Sequence, residues 1–190
     1  TVFHEWLHSW YQMMLGTNES MYAWMDEGFT SYAEDQVSEF YDKKSALQGL
    51  REALQRNPTN KNLKEALDIA PEDHSSAYLS YYNLAKSGFE EQMTTHSDNY
   101  NSNYSYSNAA YSKGEVFMEQ LGYIVGADTR DKILLEYYKQ WRFKHPNAND
   151  FIRVAEDVSG IQLDWYKEYW VNTTKTIDYR IGSLWEENSV

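Results

Sequence analysis

Near the start of the chain, Val2, Phe3, Trp6, Leu7, Trp10, Met13 and Met14 recur at three- and four-residue steps. That spacing lines apolar side chains along one face of a helix. It predicts a first helix over residues 2–15, which Gly16 can end. Residues 16–20 read as a turn, and a second helix is expected from about residue 24 to residue 41, with Asp26 available near its start. A third, over residues 45–56, is closed by Asn57-Pro58, and a short one over 62–69 precedes Pro71. Residues 75–86 look helical again before Gly88.

Residues 94–108 break the pattern, with many Asn, Ser and Tyr and almost no aliphatics. Side chains of that kind compete with helical hydrogen bonds, so an ordered polar loop forming a cleft wall is expected. Helices follow over about 109–125, over 128–143 with Asp128 as N-cap and His145-Pro146 as the stop, and over 149–158 and 163–171. In the tail, Ile177, Tyr179 and Ile181 alternate with polar residues, the period of a strand, over residues 176–185. The pattern divides into a helical unit, 1–175, and a strand-like tail, 176–190, that reads as the opening of a following domain. No repeat or interdomain linker interrupts it.

Composition narrows the chemistry. With 17 Tyr and 7 Trp, aromatic rings supply much of the apolar surface, and their OH and NH groups need partners when buried. A net charge of −12 argues against a nucleic-acid groove or an anionic membrane surface as partner. No apolar run approaches the roughly 20 residues of a membrane-spanning helix, and compartment is not legible. The absence of cysteine leaves only histidine and carboxylate as metal ligands.

That restriction points to His4-Glu5-Trp6-Leu7-His8. On a helix of about 3.6 residues per turn, imidazoles at i and i+4 face the same side one turn apart, where one divalent ion can bridge them. Nineteen residues after His8 stands Glu27, within Trp24-Met25-Asp26-Glu27-Gly28-Phe29-Thr30-Ser31-Tyr32. An antiparallel neighbouring helix can bring that carboxylate to the same ion, leaving a fourth position open for water. Ser31 and Glu34, one and two turns further on, are candidates to accept a ligand histidine's second N–H. Trp6, Trp10 and Trp24 are expected to pack the two helices together, and His74 and His145 to be surface residues. His96 fits cleft structure or substrate contact equally.

The HExxH sequence with its distant Glu resembles the gluzincin metallopeptidases, and within them the M1 aminopeptidase family. The family segment WLNEGFASYVE is similar to WMDEGFTSYAE here, and Tyr111-Ser112-Lys113-Gly114 matches the family's YxKG motif. Thr95-His96-Ser97 is similar to a Ser-His-Pro element but lacks the proline, and Glu115 departs from the small residue that usually follows YxKG. The resemblance runs from residue 4 to about 125. It implies a mainly α fold, the helical lobe of a thermolysin-like catalytic domain with a short C-terminal β-strand. The sheet-bearing lobe would lie before Thr1, since Thr1-Val2-Phe3 lead straight into His4 as in a piece of a longer protein.

The same resemblance implies one zinc ion held by His4, His8 and Glu27, a peptide as substrate, and removal of N-terminal residues as the activity. Glu5 would act as general base and Tyr111 as the oxyanion donor, with Tyr106 a weaker substitute. Lys113 and Gly114 are expected to serve backbone and packing. The family's amine-binding element lies upstream of HExxH and is not in this chain. Other readings therefore stay open: a zinc-binding but inactive piece or scaffold, or a gluzincin that cleaves within peptides or acts on another amide or an epoxide. The remaining domains of the parent polypeptide are the expected partners.

Overall fold

The structure is a computed structural model that describes residues 2–62 and 75–176. Its helices are α1 (Val2–Leu7), α2 (Phe29–Arg56), α3 (Ser75–Ser87), α4 (Asn103–Ser107), α5 (Lys113–Val125), α6 (Ala127–Trp141), α7 (Ala148–Ser159) and α8 (Asp164–Val171). Two five-residue π-turns, Trp24–Gly28 and Asn108–Ser112, run directly into α2 and α5. Among the described residues no strand forms, only isolated bridges from Leu15 to Tyr11 and to Lys144. No helix among them is long and apolar enough to cross a membrane. The strand expected over 176–185 and most of the helix expected over 62–69 lie outside the described residues.

A chain of aromatic side chains holds the helices together. Trp24 packs on Phe29 at 5.7 Å and on Phe117 at 5.0 Å, Phe29 on Phe151 at 4.9 Å, Phe151 on Tyr137 at 5.1 Å, and Phe117 on Tyr166 at 4.8 Å. All six are buried. Tyr166 resolves its own polar requirement by donating its hydroxyl to the Phe117 carbonyl at 2.6 Å, as a buried phenol must. One core thus ties the first π-turn, which bears Glu27, and α5, into which the second π-turn runs, to α6, α7 and α8.

Several boundaries differ from expectation for identifiable reasons. The first helix ends at Leu7, not residue 15. Beyond it the amides of Met13, Met14 and Leu15 bond carbonyls five residues back, and Gln12 takes a positive φ of 87°. This unwinding delivers Leu15 to the core and lets Gly16 N–H bond the Lys144 carbonyl at 2.9 Å. The helices read as 24–41 and 45–56 are one continuous α2, because nothing at residues 42–44 breaks a helix. Asp26 caps nothing; it is buried inside the first π-turn.

Within the polar loop, Ser102 Oγ accepts from Ser105 N–H at 3.1 Å and so nucleates α4 where no helix was expected. The positive φ of 90° at Gly126, not an Asp128 cap, opens α6. Asn147 and Asp150 form a capping box on α7.

Candidate metal centre

His4 and His8 lie on the first helix and the turn that continues it, where His8 N–H still bonds the His4 carbonyl at 3.2 Å. Glu27 is carried by the π-turn Trp24–Gly28. One ligand atom from each of His4, His8 and Glu27 lies within 4.8 Å of the others. Glu27 Oε2 is 3.0 Å from His4 Nε2 and 3.4 Å from His8 Nε2. Bonds of about 2.0–2.1 Å in a tetrahedron place neighbouring donor atoms roughly 3.3 Å apart. The two spacings match, and two imidazoles with one carboxylate are a borderline-soft, singly charged set that suits zinc.

The outer nitrogens are also occupied. His4 Nδ1 lies 3.1 Å from Glu34 Oε2. His8 Nδ1 lies 2.9 Å from Asp26 Oδ1 and 3.3 Å from Thr30 Oγ1. An Nδ1–H held by a carboxylate turns the Nε2 lone pair toward the space shared with Glu27. Of the two residues proposed to support the ligands, Glu34 is the one whose carboxylate reaches a ring. Asp26 and Thr30 were missed. The available signal was Asp26's place beside a ligand, but on a regular helix adjacent residues point about 100° apart, and only the wider turn brings both to the histidine pair. Burial, aided by the Glu27 carboxylate, pushes the Asp26 carboxyl up to about 7.

Tyr111 sits on the second π-turn, its ring stacked on His4 at 5.7 Å and 17°. Burial, then hydrogen bonding to Glu27, raises its phenol well above the ordinary value, so the O–H is retained for donation. Tyr106, on α4, packs edge-on to Tyr111 at 6.3 Å. Glu5 follows His4 with its side chain exposed.

The two π-turns meet at glycines. A methyl built on Gly28 would lie 2.6 Å from Gly114 Cα, and one built on Gly114 would lie 2.7 Å from Gly28 Cα. Backbones can come this close only without Cβ atoms, and the contact sets Tyr111 over the His4–Glu27 pair. The adjacent Lys113 is buried and paired with Glu90 at 2.8 Å, with a second bond to the Thr173 carbonyl at 3.3 Å. Lys113 and Gly114 accordingly play structural parts.

Trp24 is buried, but its ring packs on Phe29 and Phe117, while Trp6 is 65% exposed and Trp10 37%. The unwinding after Leu7 directs the core contact to Leu15 and leaves the indoles at the surface. His96 accepts at Nδ1 from Asp98 N–H at 3.2 Å. His145, exposed as expected, also bonds the Gly16 carbonyl through Nδ1 at 2.8 Å. His74 lies outside the described residues.

Aminopeptidase B of Homo sapiens is 26% identical over 176 residues, 92% of this chain and 22% of that protein. Leucine aminopeptidase 2 of Chaetomium globosum is 24% identical over 156 residues, 79% of this chain and 22% of its own length. Aminopeptidase B of Rattus norvegicus is 24% identical over 92% of this chain and 22% of its own length. The chain therefore spans about a fifth of the curated relatives it matches. No solved structure gives a significant match. The family model described as the peptidase family M1 domain matches residues 1–170. With that match covering nearly the whole chain, and with paired imidazoles, a converging glutamate and an overlying tyrosine in place, the chain belongs to peptidase family M1.

Proposed function

We propose that this chain is the zinc-bearing helical lobe of a metallopeptidase that removes N-terminal residues from peptides. The observation that carries the reading is the convergence of His4, His8 and Glu27 on one point under the Tyr111 ring. His4 Nε2, His8 Nε2 and a Glu27 oxygen would hold one zinc ion per chain. When bound, the ion supplies Lewis acidity at the scissile carbonyl and a water acidic enough to be a nucleophile near neutral pH.

The remaining work falls to side chains of this chain. Glu5, next to a ligand and open to solvent, takes the proton of the attacking water and hands it to the leaving amine. The Tyr111 hydroxyl donates a hydrogen bond to the carbonyl oxygen as it gains negative charge, which lowers the barrier because that charge is larger in the transition state than in the substrate. Glu34 and the Asp26–Thr30 pair hold the imidazoles in orientation. The Gly28–Gly114 contact holds Tyr111 in register with Glu27. Aminopeptidase action, rather than cleavage within a peptide, is supported by the names of the relatives. The substrate's approach would be shaped with the remaining domains of the parent polypeptide.

The test sets aminoacyl anilides beside an internally quenched peptide, with the chain and its parent protein measured together. Release of aniline without cleavage of the quenched peptide supports the exopeptidase reading, and the reverse pattern refutes it. In the active form, Glu5→Gln should abolish turnover with zinc content still near one per chain. Loss of metal in that variant would make Glu5 a ligand or a structural residue and end its assignment as base.

A further inference from the structure

The glycine contact fixes where the second π-turn lies, but the position of a phenol oxygen also depends on its side-chain torsion. A turn of roughly 10° about Cα–Cβ swings a tyrosine hydroxyl by about 1 Å. Two rings bear on Tyr111. His4 stacks on it at 5.7 Å and 17°, and Tyr106 meets it almost perpendicular, at 6.3 Å and 81°. On a regular helix, residues five apart point roughly 140° away from one another. The turn between these two tyrosines is widened, with Lys113 N–H bonded to the Asn108 carbonyl five residues back, and widening brings the fifth residue round toward the first. Tyr106 is in turn packed by Tyr100, at 5.4 Å and 74°. Tyr100 is pinned by its hydroxyl, which donates to the Gln92 carbonyl at 3.1 Å. Its neighbour Asn101 donates to the Glu91 carboxylate from its backbone nitrogen at 3.0 Å and its side-chain nitrogen at 2.8 Å. The Tyr106 hydroxyl makes no hydrogen bond among the described residues.

The geometry points to Tyr106 as a positioning residue: its ring, backed by Tyr100, fixes the torsion of Tyr111 and so aims the Tyr111 hydroxyl. The inference rests on the oxyanion role proposed for Tyr111 and deepens it. It replaces the expectation that Tyr106 is a substitute donor, because the engaged part of this side chain is the ring and not the hydroxyl. A leucine at 106 removes the aromatic wall and leaves the Tyr111 ring against His4 alone. A phenylalanine there keeps both the contact to Tyr111 and the contact to Tyr100.

The experiment is a double-mutant cycle on the zinc-loaded parent protein, read by turnover of an aminoacyl anilide. Tyr106→Leu should lower kcat about 10- to 100-fold, as a misplacement near 1 Å does, with zinc affinity unchanged. KM should move less than about threefold, because the lost interaction is made in the transition state. Tyr106→Phe should restore kcat to within about threefold of wild type, since the ring contact returns. In a Tyr111→Phe background, Tyr106→Leu should cost less than about twofold, because no hydroxyl is left to aim. Tyr100→Leu, one ring further out, should lower kcat in the same direction by about three- to tenfold, and it serves as the test if Tyr106→Leu does not fold. In proton NMR of the chain itself, cross-relaxation between the Tyr111 and His4 rings should weaken in Tyr106→Leu and persist in Tyr106→Phe. Three results overturn the inference: Tyr106→Leu with wild-type kcat, Tyr106→Phe as slow as Tyr106→Leu, or equal losses from Tyr106→Leu in the two backgrounds. A Tyr111→Phe protein as fast as wild type would instead overturn the oxyanion reading beneath it.

Discussion

Replacing Gly28 with alanine drives a methyl group into the backbone of the neighbouring π-turn. The new Cβ would stand 2.6 Å from Gly114 Cα, 2.8 Å from the Ala110 carbonyl oxygen and 2.9 Å from the Gly114 carbonyl carbon. These atoms are backbone, so no side chain can swing aside. Ordinary carbon contacts sit at about 3.5–4.0 Å, so the turns must part by roughly 1 Å. Overpacking of this kind costs about 1–3 kcal/mol, which for a domain of this size lowers Tm by roughly 3–10 °C. The catalytic effect should be larger. The same opening lifts Tyr111 from Glu27 and His4, and a 1 Å misplacement of a reacting group costs about a hundredfold in rate. Thermal melts, zinc titration and turnover of the active form measure the three quantities. Gly49→Ala is the control: a methyl there meets nothing within 4 Å, and on the exposed interior of α2 it should stabilise by up to about 1 kcal/mol. A Gly28→Ala chain that melts within a degree of wild type and keeps its rate would refute the argument that the glycine contact sets the site.

Three further outcomes follow from the same geometry. Tyr111→Phe should keep the ring stacked on His4 and leave zinc affinity unchanged while the catalytic rate falls about two to three orders of magnitude; an unaltered rate removes Tyr111 from the mechanism. Lys113→Met leaves Glu90, 6% exposed, as a buried unpaired carboxylate, and chemical denaturation should show a loss of about 3–5 kcal/mol. Much of that loss should return when Glu90→Gln is added, and strict additivity of the two changes would show that the pair is not coupled. Trp6→Ala should alter stability by less than about 0.5 kcal/mol because the indole is 65% exposed, whereas Trp24→Ala should cost about 3–5 kcal/mol; equal losses would place Trp6 in a core the structure does not give it.

What could be read from the chain alone was set by local rules. HExxH is an i, i+4 pattern, so one turn of helix suffices to pair His4 with His8. Glu27 was legible because its flanking residues and its distance from His8 match a known motif. The helical character of α2, α3, α5, α6, α7 and α8 was legible from stretches bounded by breaker and cap residues such as Asn57-Pro58, Gly88 and His145-Pro146. The details that make the site work are of another kind. Two glycines 86 positions apart in the sequence touch, and no local preference records which distant backbone a glycine must admit. Asp26 reaches His8, and Tyr111 lies over His4, because both stand on π-turns, whose extra residue per turn shifts side-chain directions away from those of a regular helix. The early end of α1 had the same origin: tertiary pairing of residues 14–16 with 143–145 outweighed a helix-compatible pattern. Periodicity reports which side chains avoid water, while the choice between a regular and a widened turn depends on partners that only the folded chain brings near.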